Sequence, residues 1–275
     1  MSADCLNCGA RLLGPYCSLC GQRHEPHPPT VGHLLGETFE TLTHADSRLW
    51  RTLRTLLARP GALTREWSAR HRAGYLPPIR LYLVLSVVFF LMVALGAGGG
   101  DAGRDGGIEM DLPGECSGLE YRGPFGATVG HMMIEACRKV ARQGFAAFQD
   151  GFFRNLPKAM FVLLPLVAAS MLLLYWRPRR LYVEHLLHLV HNQSAIYAAF
   201  IVEGALAFAL PQAFAGPLSF ALVAYLVWYC YRSMRVCYGQ SRSITLMKYA
   251  TIASVYMVLA SVLLLFTGLA SVLGG

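Results

Sequence analysis

Two short cysteine pairs open the chain. Cys5-Leu-Asn-Cys8-Gly and Cys17-Ser-Leu-Cys20-Gly are CxxCG knuckles separated by eight residues. Each pair can turn two thiolates toward one ion, and the glycine behind the second cysteine permits the tight backbone turn that this requires. Two knuckles complete a closed tetrahedral site with no open position. Cys5, Cys8, Cys17 and Cys20 are therefore expected to hold one structural zinc per chain rather than to catalyse. A segment of about 20 residues cannot build a core alone, so metal-binding energy is folding energy there. The competing reading, a redox pair or two disulfides, is disfavoured by a cytoplasmic location. His24 and His27 follow in a proline-rich stretch. They are surplus to a site filled by four cysteines and read as linker residues.

A second set of reactive side chains lies far along the chain, in Tyr182-Val-Glu184-His185-Leu-Leu-His188-Leu-Val-His191-Asn192-Gln193. At about 100° per helical residue, with Glu184 as origin, His188 falls near 40°, His191 near −20°, Asn192 near 80° and His185 near 100°. Glu203 also falls at about 100°, roughly 18 Å along the axis from His191. One face thus carries Glu184, His185, His188, His191, Asn192 and Glu203. Imidazole and carboxylate together suit a second metal or a proton site. The bland alternative is a wetted helix end whose histidines bond headgroups or neighbouring helices. Among the remaining cysteines, Cys116 and Cys137 could form a disulfide in an oxidising compartment. Cys230 and Cys237 read as small buried hydrophobes. His44 and Asp46 read as a surface histidine and a helix N-cap.

The elements that position these groups must lie in a membrane. The 275 residues are 55% hydrophobic and only 15% charged, with a mean hydropathy of +0.42. Ordinary soluble domains carry about 25% charged residues. The composition argues against both disorder and a soluble enzyme. Apolar runs of bilayer-spanning length occur at 78–97, 156–176, 183–210, 214–231 and 247–273, and helices satisfy their own backbone in lipid. No apolar leader is read in the first 77 residues. Between Arg48 and Arg80 there are eight arginines against one acid, Glu66. The turns after the second and fourth runs carry Arg177, Arg179 and Arg180, and Arg232, Arg235, Arg242 and Lys248. The intervening 99–154 loop holds eight acids and six bases, and the 211–216 turn is uncharged. This charge pattern predicts a cytoplasmic N-terminus and a periplasmic C-terminus.

The expected fold is an all-α integral membrane protein with five transmembrane helices, an N-terminal cytoplasmic zinc ribbon and amphipathic interfacial helices. Three regions follow: the ribbon at 1–24, basic amphipathic helices at 25–77, and a five-span domain at 78–275 with an outer loop and helix at 98–155. Within 30–58 two apolar faces recur at helical spacing, and Arg59-Pro60-Gly61 is expected to end the helix. The net charge of +8 falls on the cytoplasmic side. Its arginines are interleaved with Leu and Trp, which favours the bilayer and its anionic headgroups, contacted through 48–80, over nucleic acid.

Several motifs coincide with these elements: the two knuckles, Arg51-Thr52-Leu53, Arg59-Pro60-Gly61, Tyr75 with Pro78-Ile79-Arg80, and Tyr182-Val183-Glu184-His185 with His188 and His191. Together they resemble the domain-of-unknown-function family 3667, zinc-ribbon membrane proteins of bacteria. The resemblance implies a multi-pass protein of the bacterial inner membrane and no particular activity. A basic Gly-Lys-Arg stretch, usual in the family before the first span, is replaced here by Ser68-Ala69-Arg70-His71-Arg72-Ala73-Gly74.

Three functions compete. The first is a membrane-anchored binding or regulatory module whose ribbon and basic segment dock a cytoplasmic protein. The second is a transporter, or a proton or metal pathway, along the Glu/His face; no inverted repeat supports it. The third is a metal-dependent enzyme acting on lipid at the cytoplasmic interface, although its histidines come from one helix. No nucleophile triad, phosphate-binding glycine loop or nucleotide motif is visible.

Overall fold

In a computed structural model of the chain, the structure describes residues 4–23, 48–98, 134, 155–176 and 180–273. The outer loop, Cys116, Cys137, His24, His27, His44 and Asp46 lie outside the described residues. Apart from two isolated β-bridges in the ribbon, regular structure among the described residues is helical.

Two short helices precede the apolar ones. Helix α1 is Arg48–Ala58 and α2 is Ala62–Ser68. The long helices are α3, Pro78–Gly98, α4, Asn155–Leu174, α5, Tyr182–Ala209, α6, Ala215–Tyr238, and α7, Arg242–Leu273. These five overlie the five apolar runs, with α6 continuing past the fourth run to Tyr238 and α7 beginning before the fifth at Arg242. By length and composition three stretches can cross a membrane: Asn155–Leu174, Gln212–Tyr238 and Arg242–Leu264. Helix α3 carries an apolar stretch over Pro78–Val93. Helix α5 does not join the three because its first half is polar.

Why α5 tolerates those polar residues is clear from its surroundings. His185, Leu187, His188 and every residue from Val190 to Ala195 are buried, as are Tyr197, Ala198 and Ala199. Helices α1, α2 and α6 all pack on α5, and α3 meets it through an aromatic cluster. There the Phe89 and Tyr197 rings stack at 5.0 Å, with Tyr82 and Phe90 within 5.9 Å of Tyr197. Protein rather than lipid therefore surrounds this half of the helix, so it need not be apolar on every side. Its second half changes character: Val202, Leu206 and Phe208 are exposed apolar residues.

The chain divides into two units. One comprises Met1–Ala94 and Ala168–Ala253, and holds the ribbon, α1, α2, α5 and α6. The other, Leu95–Val167 and Ser254–Gly275, contributes the start of α4 and the end of α7.

Candidate functional site

The ribbon is built from two near-identical turns. In the first, the Cys5 N–H bonds the Ala10 carbonyl at 2.7 Å and the Gly9 N–H bonds the Cys5 carbonyl at 2.8 Å. In the second, Cys17 bonds Gln22 and Gly21 bonds Cys17, both at 2.9 Å. Gly9 and Gly21 have φ of 75° and 70°, the left-handed region that glycine enters at least cost. Short bridges, Asp4 to Arg11 and Tyr16 to Arg23, close each turn. All four sulfurs lie within 4.8 Å of one another. Cys5 Sγ is 3.6 Å from Cys20 Sγ, and Cys8 Sγ is 3.5 Å from Cys17 Sγ. Four sulfurs bound tetrahedrally at about 2.3 Å would be about 3.8 Å apart, so the cluster fits a single ion. The backbone N–H groups of Cys20 and Leu19 hold the Cys17 thiol down to about 6, whereas Cys8, despite a lowering backbone bond with Ala10, is pushed up to about 12 by burial and by the other three thiols, as expected when four thiols share one site without a cation to hold them as thiolates. Among the described residues these cysteines are the one set of three or more His, Cys, Asp and Glu side chains whose ligand atoms converge.

One side chain ties the ribbon to the rest. Gln22 Nε2 donates to the Arg70 carbonyl at 2.8 Å, and its Oε1 accepts from the Arg72 and Ala73 N–H groups at 3.1 and 3.2 Å. Three backbone groups of the 70–73 loop thus depend on one amide. This loop lies in the basic stretch that departs from the family pattern. Arg72 also lies over the buried Trp67 ring, 5.2 Å from its centroid, and His71 Nδ1 contacts Glu66 Oε2 at 2.8 Å.

Helices α1 and α2 form a shoulder against α5 and α6. The Arg59-Pro60-Gly61 turn separates them, as its residue types predict. Gly61 has φ 76°, and a Cβ there would lie 2.7 Å from the Ser233 carbonyl oxygen. Only glycine therefore allows the turn to approach α6 this closely. Thr52, fully buried, accepts a hydrogen bond from the Leu76 N–H at 3.1 Å and pins α1 to the start of α3. At its C-terminal end, α1 offers the Leu56 and Leu57 carbonyls to the hydroxyls of Tyr229 and Tyr225, each at 2.7 Å.

Beneath the shoulder lies the histidine face of α5. His191 Nδ1 meets Thr64 Oγ1 at 3.0 Å. His188 Nε2 accepts from Asn192 Nδ2 at 3.2 Å, and Asn192 Oδ1 accepts from Ser233 at 2.8 Å. His185 Nδ1 meets the Tyr238 hydroxyl at 2.8 Å. The Tyr238 ring stacks on Tyr175 at 4.1 Å, and Lys248 Nζ lies 3.8 Å from the Tyr175 ring centroid. All three histidines are buried, and among the described residues His185 Nε2, His188 Nδ1 and His191 Nε2 have no hydrogen-bond partner. The two glutamates of the predicted face take other partners. Glu184 pairs with Arg180 at 3.2 Å, and Glu203 accepts from Ser219. Cys237, half-buried, points its thiol at the Gly61 carbonyl, 3.5 Å away.

The shoulder is where a family resemblance can be tested. Residues 46–90 match the model of DUF3667, a protein family of unknown function. This is the family that the motifs resemble. The DUF3667 match covers α1, the Arg-Pro-Gly turn, α2 and the first part of α3. It includes Arg51, Arg59 to Gly61, Tyr75 and Pro78 to Arg80, and excludes the cysteine knuckles and the α5 histidines. No curated protein and no solved structure matches the chain.

Sequence reasoning missed Gln22 as a clasp, and Tyr225, Tyr229 and Ser233 as shoulder contacts. The α6 signal was present. Tyr225, Tyr229, Ser233 and Cys237 recur every fourth residue, which places four hydrogen-bonding side chains along one helical stripe. Nothing in local spacing marks Gln22, because its partners lie about fifty residues on.

Proposed function

We propose that the chain is a multi-pass protein of a bacterial inner membrane, with five spans, a cytoplasmic N-terminus and a periplasmic C-terminus. It acts as a membrane-anchored binding and regulatory module. One zinc per chain, held by Cys5, Cys8, Cys17 and Cys20, folds the ribbon, and the ribbon with its shoulder docks a cytoplasmic protein. The observation that carries this reading is the Gln22 clasp. It joins the metal-dependent segment to the loop that ends the shoulder, and the shoulder packs on the α5 and α6 helices. Ribbon folding is then felt at the membrane helices.

The test combines metal analysis by mass spectrometry with hydrogen exchange on the full chain in detergent. Wild type is expected to hold one zinc. Cys5→Ser/Cys17→Ser loses it, and the Arg72 and Ala73 amides then exchange faster. Gln22→Ala keeps the zinc and shows the same faster exchange. A wild type without zinc, or zinc loss with unchanged exchange at 72 and 73, would refute the reading.

A second reading has an observation of its own. Buried ring nitrogens on His185, His188 and His191 that find no partner among the described residues cost stability unless water, a proton or an ion meets them. This favours a proton or metal pathway along α5. In the same metal analysis, a second ion lost selectively in His188→Ala/His191→Ala would move the assignment to this pathway.

A further inference from the structure

The shoulder also carries a cavity that neither the ribbon nor the histidine face uses. It is a groove of about 760 Å³ lined by Arg51, Arg54 and Arg59, by the rings of Trp50 and Tyr75, and by Thr55. Its origin lies in the amphipathic pattern of α1. Thr52 and Leu56 are buried on one side, which turns Arg51 and Arg54, three residues apart, to the other. Arg59 joins them from the turn that ends the helix.

Three guanidinium groups around one void repel one another until an anion sits between them. Among the described residues no carboxylate lines the groove. Guanidinium forks match phosphate oxygens in a bidentate manner. The volume is within the range of about 300–1,000 Å³ common for small-molecule sites. Two further observations locate the anion's source. Tyr75 stands three residues before Pro78, where the first apolar helix begins. That helix carries Val84, Val87, Val88 and Leu91 exposed, as a lipid-facing surface would be. Trp50 is 77% exposed, and Trp and Tyr rings collect at headgroup level.

We infer that this groove binds the phosphate-bearing headgroup of an anionic phospholipid. The inference is independent of the zinc reading, because it uses neither the cysteines nor the Gln22 clasp.

The full chain in neutral detergent is titrated with dihexanoyl phosphatidic acid, dihexanoyl phosphatidylcholine and inorganic phosphate, with binding followed by thermophoresis. Saturable binding of the phosphatidic acid is expected, with weaker binding of the other two. Arg54→Gln and Arg59→Gln should each weaken it about fivefold, and the double variant roughly 30-fold. Both arginines are exposed, and the single variants carry the test if the double one unfolds. Arg232→Gln/Arg242→Gln removes the same charge from exposed positions elsewhere and should leave affinity within about twofold. Unchanged binding in the groove variants overturns the site, and so does an equal loss in the control pair. Inorganic phosphate bound as tightly as the phosphatidic acid overturns the headgroup assignment.

Discussion

Gly61 carries two constraints at once, a left-handed backbone and a close approach to α6. Gly239 carries only the first. Its φ is 64°, and an added Cβ would meet nothing within 4 Å. The pair therefore separates the two effects. Alanine at 239 should cost about 1 kcal/mol for the strained backbone. At 61 it should cost that and more, because the neighbour is the Ser233 backbone carbonyl, which cannot swing aside as a flexible side chain could. Thermal unfolding in detergent is expected to rank wild type above Gly239→Ala and Gly239→Ala above Gly61→Ala. Equal midpoints for the two variants would remove the close-approach argument. At this scale much was legible. The glycines of the CxxCG knuckles and of Arg-Pro-Gly announce turns by residue type, and the structure places those turns there. Glu184 and Glu203 were less legible, because a shared helical face says nothing about which partner each carboxylate takes. Arg180 and Ser219 draw them away from the histidines.

At the element scale, α1 shows how the end of a short helix is held against its neighbours. The last carbonyls of a helix have no partner inside it. Those of Leu56 and Leu57 are met by tyrosine hydroxyls from one face of α6. Tyr229 is buried and Tyr225 is half-buried, so water can replace the second hydroxyl more easily than the first. Tyr229→Phe should therefore cost about 1–3 kcal/mol and Tyr225→Phe less. Thermal unfolding of the two variants would check this, and a larger fall for Tyr225→Phe would contradict the burial argument. The helices themselves were readable from apolar runs and from proline and glycine, down to the end of α1 at Ala58. Their pairing was not. Apolar periodicity gives a helix a face, but the partner of that face is fixed by contacts far apart in sequence, such as Tyr229 to Leu56.

At the scale of the whole molecule, burial and charge placement together argue that α3 and α5 cross the membrane with the three helices that qualify by length and composition. The buried setting of α5 answers one objection. A span sheathed by α1, α2, α3 and α6 over its polar half can carry three histidines, while Val202, Leu206 and Phe208 present an exposed apolar surface further along. Charge placement supplies the rest of the argument. With five spans, the arginines at 48–80, 177–180 and 232–242 share one side of the membrane, whereas leaving out α5 alone would place those after α4 and after α6 on opposite sides. Fusions of alkaline phosphatase and of a green fluorescent reporter after Gln212 and after Gln240 distinguish the two. Five spans require an active phosphatase and a dark fluorophore after Gln212, and the reverse after Gln240. The same activity at both positions would mean that α6 does not cross. Reversed activities at both would mean that one of α3 and α5 does not cross, so that the arginine clusters no longer share one side.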